Sequence, residues 1–245
     1  MLEPCINQAA GLQAMAPLAS PKLMAVASHG QQQGELPLLW SLCHSWVELG
    51  LPVLVLDGNK SETDSNPGLI HLLQDPLGHA NVEQDASAWR VLPAALGFAQ
   101  LSSTGFHAGS VGHLFRSDGV VLLYASATTL TQLLKNSGLT PLLVLPPLRS
   151  ASMSAYQAMK VLMQDAQLQP TVANIELQTS TPIHMPSPVQ TLQHCALTFL
   201  GLEIKPITVS ALGNPQTSQD DISRLALQLL ENAVPLQRQQ PQRTH

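Results

Sequence analysis

The sequence predicts an α/β protein in which a doubly wound, mostly parallel sheet is flanked by helices. Short apolar runs alternate with amphipathic segments along the chain, which is typical of strands connected by helices. The 245 residues, 44% of them hydrophobic, are enough for one such domain with a large core. We assign residues 21–234 to this domain and residues 1–20 to an N-terminal tail and linker. Residues 235–245, rich in Gln, Pro and Arg, are predicted to be a disordered tail.

Continuous apolar runs are typical of strands that are buried on both faces of a parallel sheet. Such runs predict strands at residues 23–28, 52–57, 89–93, 119–125, 141–146, 171–177 and 204–209. Amphipathic segments with polar residues at their starts predict the helices. These segments are residues 36–49, 67–74, 128–136, 152–166, 188–200 and 219–231. The fourth helix has the best signals, because Ser150 and Ser152 offer caps and Met159 and Leu162 contribute to an apolar face.

Residues 23–39, LMAVASHGQQQGELPLL, combine a short strand, a polar turn and the start of an apolar helix. This is the frame of a phosphate-binding loop, which surrounds phosphate with backbone N–H groups and adds a Lys for charge and a Ser or Thr for magnesium. Gly34 stands in the place of the last loop glycine, but Glu35 and Leu36 follow it. A carboxylate repels a triphosphate, so the frame is present without its chemistry.

The second predicted strand ends in Asp57, and Asn59 follows two residues later. Side chains at the carboxyl ends of parallel strands line the crevice in which such sheets bind ligands. Both side chains are therefore expected to point toward the loop at residues 27–36. A cap for the following turn is the alternative role of Asp57.

The order of these pieces resembles the MinD/ParA family of P-loop ATPases. ASHGQQQGELPLL aligns without gaps with that family's ASGKGGVGKTTLA pattern. The resemblance places the family's signature lysine on Gly30, its loop lysine on Glu35 and its magnesium-binding threonine on Leu36. Its D-x-D pair falls on Asp57 and Asn59, and its adenine-contacting Asn falls on Asn174.

Other segments resemble the flagellar-number branch of this family, called FlhG or FleN. WRVLPAALGFAQLS (residues 89–102) and LLVLPPLRSASMSAYQAMKVL (residues 142–162) are similar to two of its segments. The branch also carries a leading D-Q-A-x-x-L-R motif, whose role is to activate the signal-recognition-type GTPase FlhF. Here Gln8, Ala9 and Leu12 match the motif, Asn7 replaces the acid and Gln13 replaces the Arg. The resemblance implies a docking tail and covers most of residues 5–232.

The catalytic groups of the family are missing from the matching positions. Both lysines and the magnesium hydroxyl are replaced, and strand 119–125 ends in Tyr124, Ala125 and Ser126 instead of the Walker B Asp. We therefore expect no ATP hydrolysis, no catalytic residue, no metal, no cofactor and no ATP-dependent dimer. The positions of the former nucleotide site, called the relic positions below, are Gly30, Gly34, Glu35, Leu36, Asp57, Asn59 and Asn174.

Composition excludes several other classes of function. With 16 acidic and 11 basic residues, the chain lacks the clustered positive charge of a nucleic-acid surface. No long apolar run predicts a membrane-spanning helix, and the last helix has too few Lys and Arg residues for membrane contact. Three widely spaced cysteines predict no disulfide framework, which favours a reducing cytosol. The resemblance implies a bacterial protein that a partner would place at the cell pole. The histidines show no metal-binding spacing.

The leading hypothesis is a non-catalytic, MinD/FlhG-like regulator of flagellar number or placement. It would act by protein–protein contact, through Asn7, Gln8, Ala9 and Leu12 on an FlhF-like GTPase or through its surface on flagellar components. A second hypothesis is a ligand sensor or enzyme that uses a remodelled cleft around His29, Glu35 and Asp57. A third is a MinD-like scaffold for another polar machine, such as cellulose secretion or pili.

Overall fold

Seven parallel strands and one short antiparallel strand form a single sheet. The computed structural model describes residues 20–75, 89–106, 111–115, 117–176, 187–210 and 215–236. The strands are β1 (Lys22–Ser28), β2 (Val53–Asp57), β3 (Trp89–Pro93), β4 (Val120–Ser126), β5 (Leu142–Leu145), β6 (Thr171–Glu176), β7 (Ile207–Ser210) and β8 (Val234–Pro235). Their order across the sheet is β3-β2-β4-β1-β5-β6-β7, with β8 paired to β1.

Helices cover both faces of this sheet. They are α1 (Gln32–Glu48), α2 (Leu69–Gln74), α3 (Ala95–Thr104), α4 (Ala127–Leu134), α5 (Ala151–Ala166), α6 (Pro188–Cys195) and α7 (Pro215–Asn232). A 3₁₀ turn spans Gly112–Phe115, and a π-helical turn, Ala196–Leu200, extends α6. Within the described ranges, no helix has both the length and the hydropathy needed to cross a membrane.

Two apolar cores lie on opposite faces of the sheet. Helices α1 and α7 pack on one face, where Trp46 is fully buried and its ring N–H donates to the carbonyl of Ala226 at 3.1 Å. Helices α3 to α6 pack on the other face, around Phe98, Leu130 and Leu162. This arrangement leaves the carboxyl ends of β1, β2, β4 and β5 side by side at one edge, where ligand crevices form in such folds.

The predicted fold class is confirmed, and the corrections concern element boundaries. Helix α1 begins at Gln32 rather than at residue 36, and β7 begins at Ile207 rather than at residue 204. Helix α3 was not predicted. It contains Gly97, a poor helix former, which is needed because a Cβ there would lie 2.6 Å from the Leu69 side chain.

The last described residues pair with the amino end of β1, at the end of the strands opposite to the carboxyl ends described above. Val234 and Pro235 pair antiparallel with Leu23 and Lys22. Leu236 is buried, and its N–H donates to the carbonyl of Pro21 at 2.8 Å. The packed structure therefore continues across the predicted boundary at residues 234 and 235.

Candidate functional site

The site lies where the turn after β1 meets the start of α1, beside the ends of β4 and β5. We call residues 29–31 the β1–α1 loop. The Glu35 side chain, 0% exposed, points back into this loop from the first turn of α1. Its Oε1 accepts hydrogen bonds from the backbone N–H groups of His29 and Gln31, each at 3.1 Å. A carboxylate of the chain therefore binds the N–H groups that a phosphate-binding loop offers to its ligand.

Glu35 also reaches back to the N-cap residue of its own helix, because its Oε1 accepts the backbone N–H of Gln31. No side-chain oxygen of Gln31 caps the helix, so this bond from the first turn to the N-cap is the one that ties the start of α1 to the loop. An acid in the first turn also interacts favourably with the positive end of the helix dipole. These two effects explain why α1 begins before residue 36: the carboxylate stabilises the additional turn.

Gly30 gives the loop its shape. Its φ of 88° lies in the left-handed region, which side-chain-bearing residues rarely adopt. No atom lies within 4 Å of the position that a Cβ would take, so the backbone angle rather than space requires glycine. The turn at Gly30 lets the flanking N–H groups converge on one point, as in the anion-binding concavities called nests.

His29 joins the loop to β5 and α5. Its side chain is 1% exposed, and its Nε2 lies 2.6 Å from the carbonyl oxygen of Val144. Because a carbonyl only accepts, Nε2 carries a proton. The same Nε2 lies 3.4 Å from Oε1 of Glu35, and Nδ1 lies 2.9 Å from Oγ of Ser154. The ring thus connects the buried carboxylate to two neighbouring elements.

Gly34 has a packing role. A Cβ at this position would lie 2.8 Å from Cγ of Pro146 and closer still to its Cβ. Real Cβ atoms essentially never approach so closely, so α1 can lie against the β5–α5 connection only with glycine here. The glycine that resembles the last glycine of a phosphate loop therefore serves contact between two segments of this chain.

Tyr124 occupies the strand end where the family's Walker B Asp would stand. Its hydroxyl donates to Oε2 of Glu35 at 2.7 Å. Burial raises the pKa of the Tyr124 hydroxyl well above its usual value of 10.0; the charges of Glu35 and Asp57 act in the same direction, and a hydrogen bond with Ser28 opposes them. The hydroxyl is thus a neutral donor at physiological pH, and it satisfies the second oxygen of Glu35.

The other polar relic positions are also satisfied within the chain. Oδ1 of Asp57 accepts from the backbone N–H and the side-chain amide of Asn59, at 3.0 and 3.3 Å. This contact agrees with the alternative in which Asp57 caps its turn. Asn174, 5% exposed, donates to Glu176 at 3.3 Å.

Leu36, the residue after Glu35, takes no part in these contacts, and its side chain is 47% exposed. Among the residues that the structure describes, no buried side-chain polar atom lacks a partner, and no three His, Cys, Asp or Glu side chains group as a metal site. The donors around the loop are engaged by Glu35, so this arrangement does not fit a magnesium nucleotide.

Several contacts around the β1–α1 loop were not predicted from the sequence. Ser154, Pro146 and the hydroxyl of Tyr124 had no motif, because their contacts join strands and helices far apart in the chain. The buried Glu62 was also missed; it accepts backbone N–H groups from α2 and α3. The predicted docking residues Asn7, Gln8, Ala9 and Leu12 lie outside the described residues.

Comparison with solved structures places this geometry in a known fold. The chain is similar to MinD in the MinC:MinD cell division complex of Aquifex aeolicus, with a TM-score of 0.55 and 13% identity over 89% of this chain and 98% of that one. The chain has the MinD fold. MinD of Aquifex aeolicus solved alone gives a TM-score of 0.50 and 15% identity over 88% of this chain and 100% of that one.

A cobyrinic acid a,c-diamide synthase from Mycobacterium smegmatis, with bound ADP and magnesium, gives a TM-score of 0.51 and 16% identity over 86% of this chain and 94% of that one. No protein-family model matches the sequence, and none of the curated proteins matches it at a significant level. The likeness is therefore one of fold.

Proposed function

We propose that this protein is a non-catalytic regulator with the MinD fold that acts through contacts with other proteins. The observation that carries the proposal is the Glu35 carboxylate, which is fully buried and accepts hydrogen bonds from two loop N–H groups and from Tyr124. A nucleotide phosphate would compete with this anion for the same donors. A phosphate-bound lysine gives charge-assisted bonds worth about 1.5–3 kcal/mol each, and here a negative charge replaces it.

The flagellar role is the finer part of the proposal. It is supported by the resemblance of the sequence to the FlhG branch, and by the tail motif at Asn7, Gln8, Ala9 and Leu12. One matching structure is a complex of MinD with MinC, so a protein of this fold presents a surface to a protein partner. We propose an FlhF-like GTPase or flagellar components as partners, met in the cytoplasm or at the cell pole.

A ligand site in a remodelled cleft has less support. His29, Glu35 and Asp57 are hydrogen-bonded to neighbouring groups of the chain, and Gly34 packs against Pro146. The third hypothesis, a MinD-like scaffold for cellulose secretion or pili, also assumes a non-catalytic protein that binds other proteins. It differs from the flagellar role only in the machine to which those partners belong. Gene neighbourhood and capture by each machine's components distinguish it from the flagellar role.

Isothermal titration with ATP and magnesium tests the loss of the nucleotide. We expect no saturable binding below about 1 mM, a binding free energy of roughly 4 kcal/mol at most. The Mycobacterium smegmatis synthase, whose structure holds ADP and magnesium, serves as the positive control under the same conditions. Micromolar binding by this protein would refute the proposal.

Substitution in the tail tests the partner. We expect Gln8→Ala together with Leu12→Ala to abolish stimulation of the GTPase activity of an FlhF-like protein, because both matched side chains are removed. Gln13→Ala is the matched control, since this position already departs from the motif. Unchanged stimulation by the double variant would remove the tail from the proposal and leave the surface contacts.

A further inference from the structure

The contacts of Glu35 are those of a bound anion. This carboxylate accepts hydrogen bonds from two backbone N–H groups at Oε1 and from one hydroxyl at Oε2. The ring of His29 also faces this carboxylate, with Nε2 3.4 Å from Oε1. Since the side chain is 0% exposed, these groups replace water as the solvation of the carboxylate.

The position of the anion links separate parts of the molecule. The two N–H donors belong to the β1–α1 loop, the hydroxyl of Tyr124 belongs to β4, and His29 continues the network to Val144 on β5 and Ser154 on α5. Without the carboxylate, two partly buried N–H groups and a buried hydroxyl would lose their acceptor. Such unsatisfied groups are costly, so the anion supports the local structure of several elements together.

We propose that Glu35 is a tethered anion, which occupies an anion-binding loop and fixes the arrangement of the site without any free ligand. The loop keeps the ability to bind an anion, and its natural ligand is a side chain of the same helix. The site is thus permanently liganded, and the surface around it does not depend on nucleotide. This inference rests on the proposed function only in taking the site to be free of nucleotide.

The atoms that Glu35→Ala removes indicate which free ligand could take the place of the Glu35 side chain. Glu35→Ala keeps Cβ and deletes a CH₂–COO⁻ group, which corresponds to one acetate ion. The vacated position keeps its three donors. A small monocarboxylate therefore fits both the space and the hydrogen bonds, and we take acetate as the probe.

The experiment is chemical rescue followed by thermal melting. We expect the melting temperature of Glu35→Ala to lie below that of the wild type by up to about 10 °C, a size typical of lost buried bonds in a domain of this length. Sodium acetate should raise it in a saturable way, because a ligand that binds only the folded state stabilises it. Sodium chloride at the same ionic strength should not.

Two controls make the result specific. Glu48→Ala removes the same side chain from the last turn of the same helix, where it is 49% exposed, and should show no response to acetate beyond that to chloride. Equal effects of acetate and chloride on Glu35→Ala would overturn the proposal. If Glu35→Ala folds in neither salt, Glu35→Gln decides: a melting temperature below the wild type supports the tethered anion, and an equal one overturns it.

This test does not depend on the nucleotide measurement. Failure of the proposed function would appear as ATP binding to the wild-type protein. Failure of the tethered anion would appear as a lack of acetate rescue in the variant. A lack of acetate rescue would overturn the tethered anion and leave the proposed function standing, so the two failures are told apart by separate measurements.

Discussion

Gly34 and Glu35 are neighbours in the chain, and each makes a different contact at the start of α1. Glu35 supplies the anion that the loop binds, while Gly34 allows α1 to approach Pro146 and close the space beside it. The two residues act together, because the carboxylate reaches the loop only when the first turn of α1 lies in this position. This residue pair thus ties the start of α1 both to the β1–α1 loop and to the β5–α5 connection.

Gly34→Ala tests the packing role of this glycine. In an open helix the change would be stabilising by about 1 kcal/mol, because alanine is the better helix former. Here we expect a loss of about 1–3 kcal/mol in the free energy of unfolding, because the new Cβ would clash with Pro146. Urea unfolding measures the change, with the exposed neighbour Gln33→Ala as the control. A stabilised Gly34→Ala protein would contradict this packing.

Cys43 gives a prediction of pH dependence at the residue scale. Burial raises the pKa of its thiol from the usual 9.0 to about 12. A group whose folded pKa is raised contributes stability that is present below its unfolded pKa, and this contribution is lost as pH rises between about 9 and 12. We expect the free energy of unfolding to fall by up to about 1.4 kcal/mol per pH unit in this window.

Urea unfolding between about pH 8 and pH 10 checks the effect, below the range in which Tyr124 also contributes. Cys43→Ala should show a flatter dependence on pH, although its stability at neutral pH is lower. Cys195, which is only partly buried, provides the control: Cys195→Ala should keep the wild-type slope. Equal slopes for all three proteins would show that the Cys43 thiol is not the cause.

At the scale of elements, Glu62 joins two helices that the chain separates. Its carboxylate accepts backbone N–H groups from Ile70 in α2 at 3.2 Å, and from Leu96 and Gly97 in α3 at 2.8 and 2.9 Å. These groups belong to the first turns, which have no partner within their own helices. One buried side chain therefore caps two helices and holds them beside each other at the carboxyl edge of the sheet.

Glu62→Ala should destabilise the protein by about 2–4 kcal/mol, since two caps and charge-assisted bonds are lost together. Hydrogen exchange should become faster at the amides of Ile70, Leu96 and Gly97, while amides of α5 change only with global stability. The exposed Glu203→Ala is the matched control. A loss of stability without faster exchange at these three amides would indicate that Glu62 acts elsewhere.

At the scale of the whole molecule, the two ends of the strands carry different contacts. The carboxyl ends hold the candidate site, whereas β8 and the contact of Leu236 with Pro21 lie at the amino end of β1. Residue 20, where the described chain begins, is therefore far along β1 from the β1–α1 loop.

We expect the oligomeric state to be independent of nucleotide. A nucleotide that joins two subunits needs loop donors, and Glu35 already binds them. Sedimentation velocity with and without ATP and magnesium should give the same distribution of species, and ADP serves as a further comparison. A dimer that forms only when ATP is added would contradict both this prediction and the proposed function.

Much of the architecture could be predicted because it depends on patterns along the chain. Apolar runs such as residues 23–28 and 52–57 are strands because they are buried on both sheet faces, and the amphipathic segment at residues 152–166 is helical for the same local reason. Order along the chain also marked Glu35, which lies in the helix after the first buried strand, and Asp57, which ends the second. The sequence by itself thus determined the fold class and the loop frame with a carboxylate in it.

Only the tertiary structure decided what this carboxylate contacts. The partners of Glu35 include Tyr124, and the partners of His29 include Val144 and Ser154, which come together only when β1, β4, β5 and α5 are assembled. No spacing in the sequence encodes such contacts, because hydrogen bonds between distant segments depend on the register of the sheet and the tilt of its helices. The sequence showed that a carboxylate stands in the loop, and the packing showed that it points inward and is satisfied there.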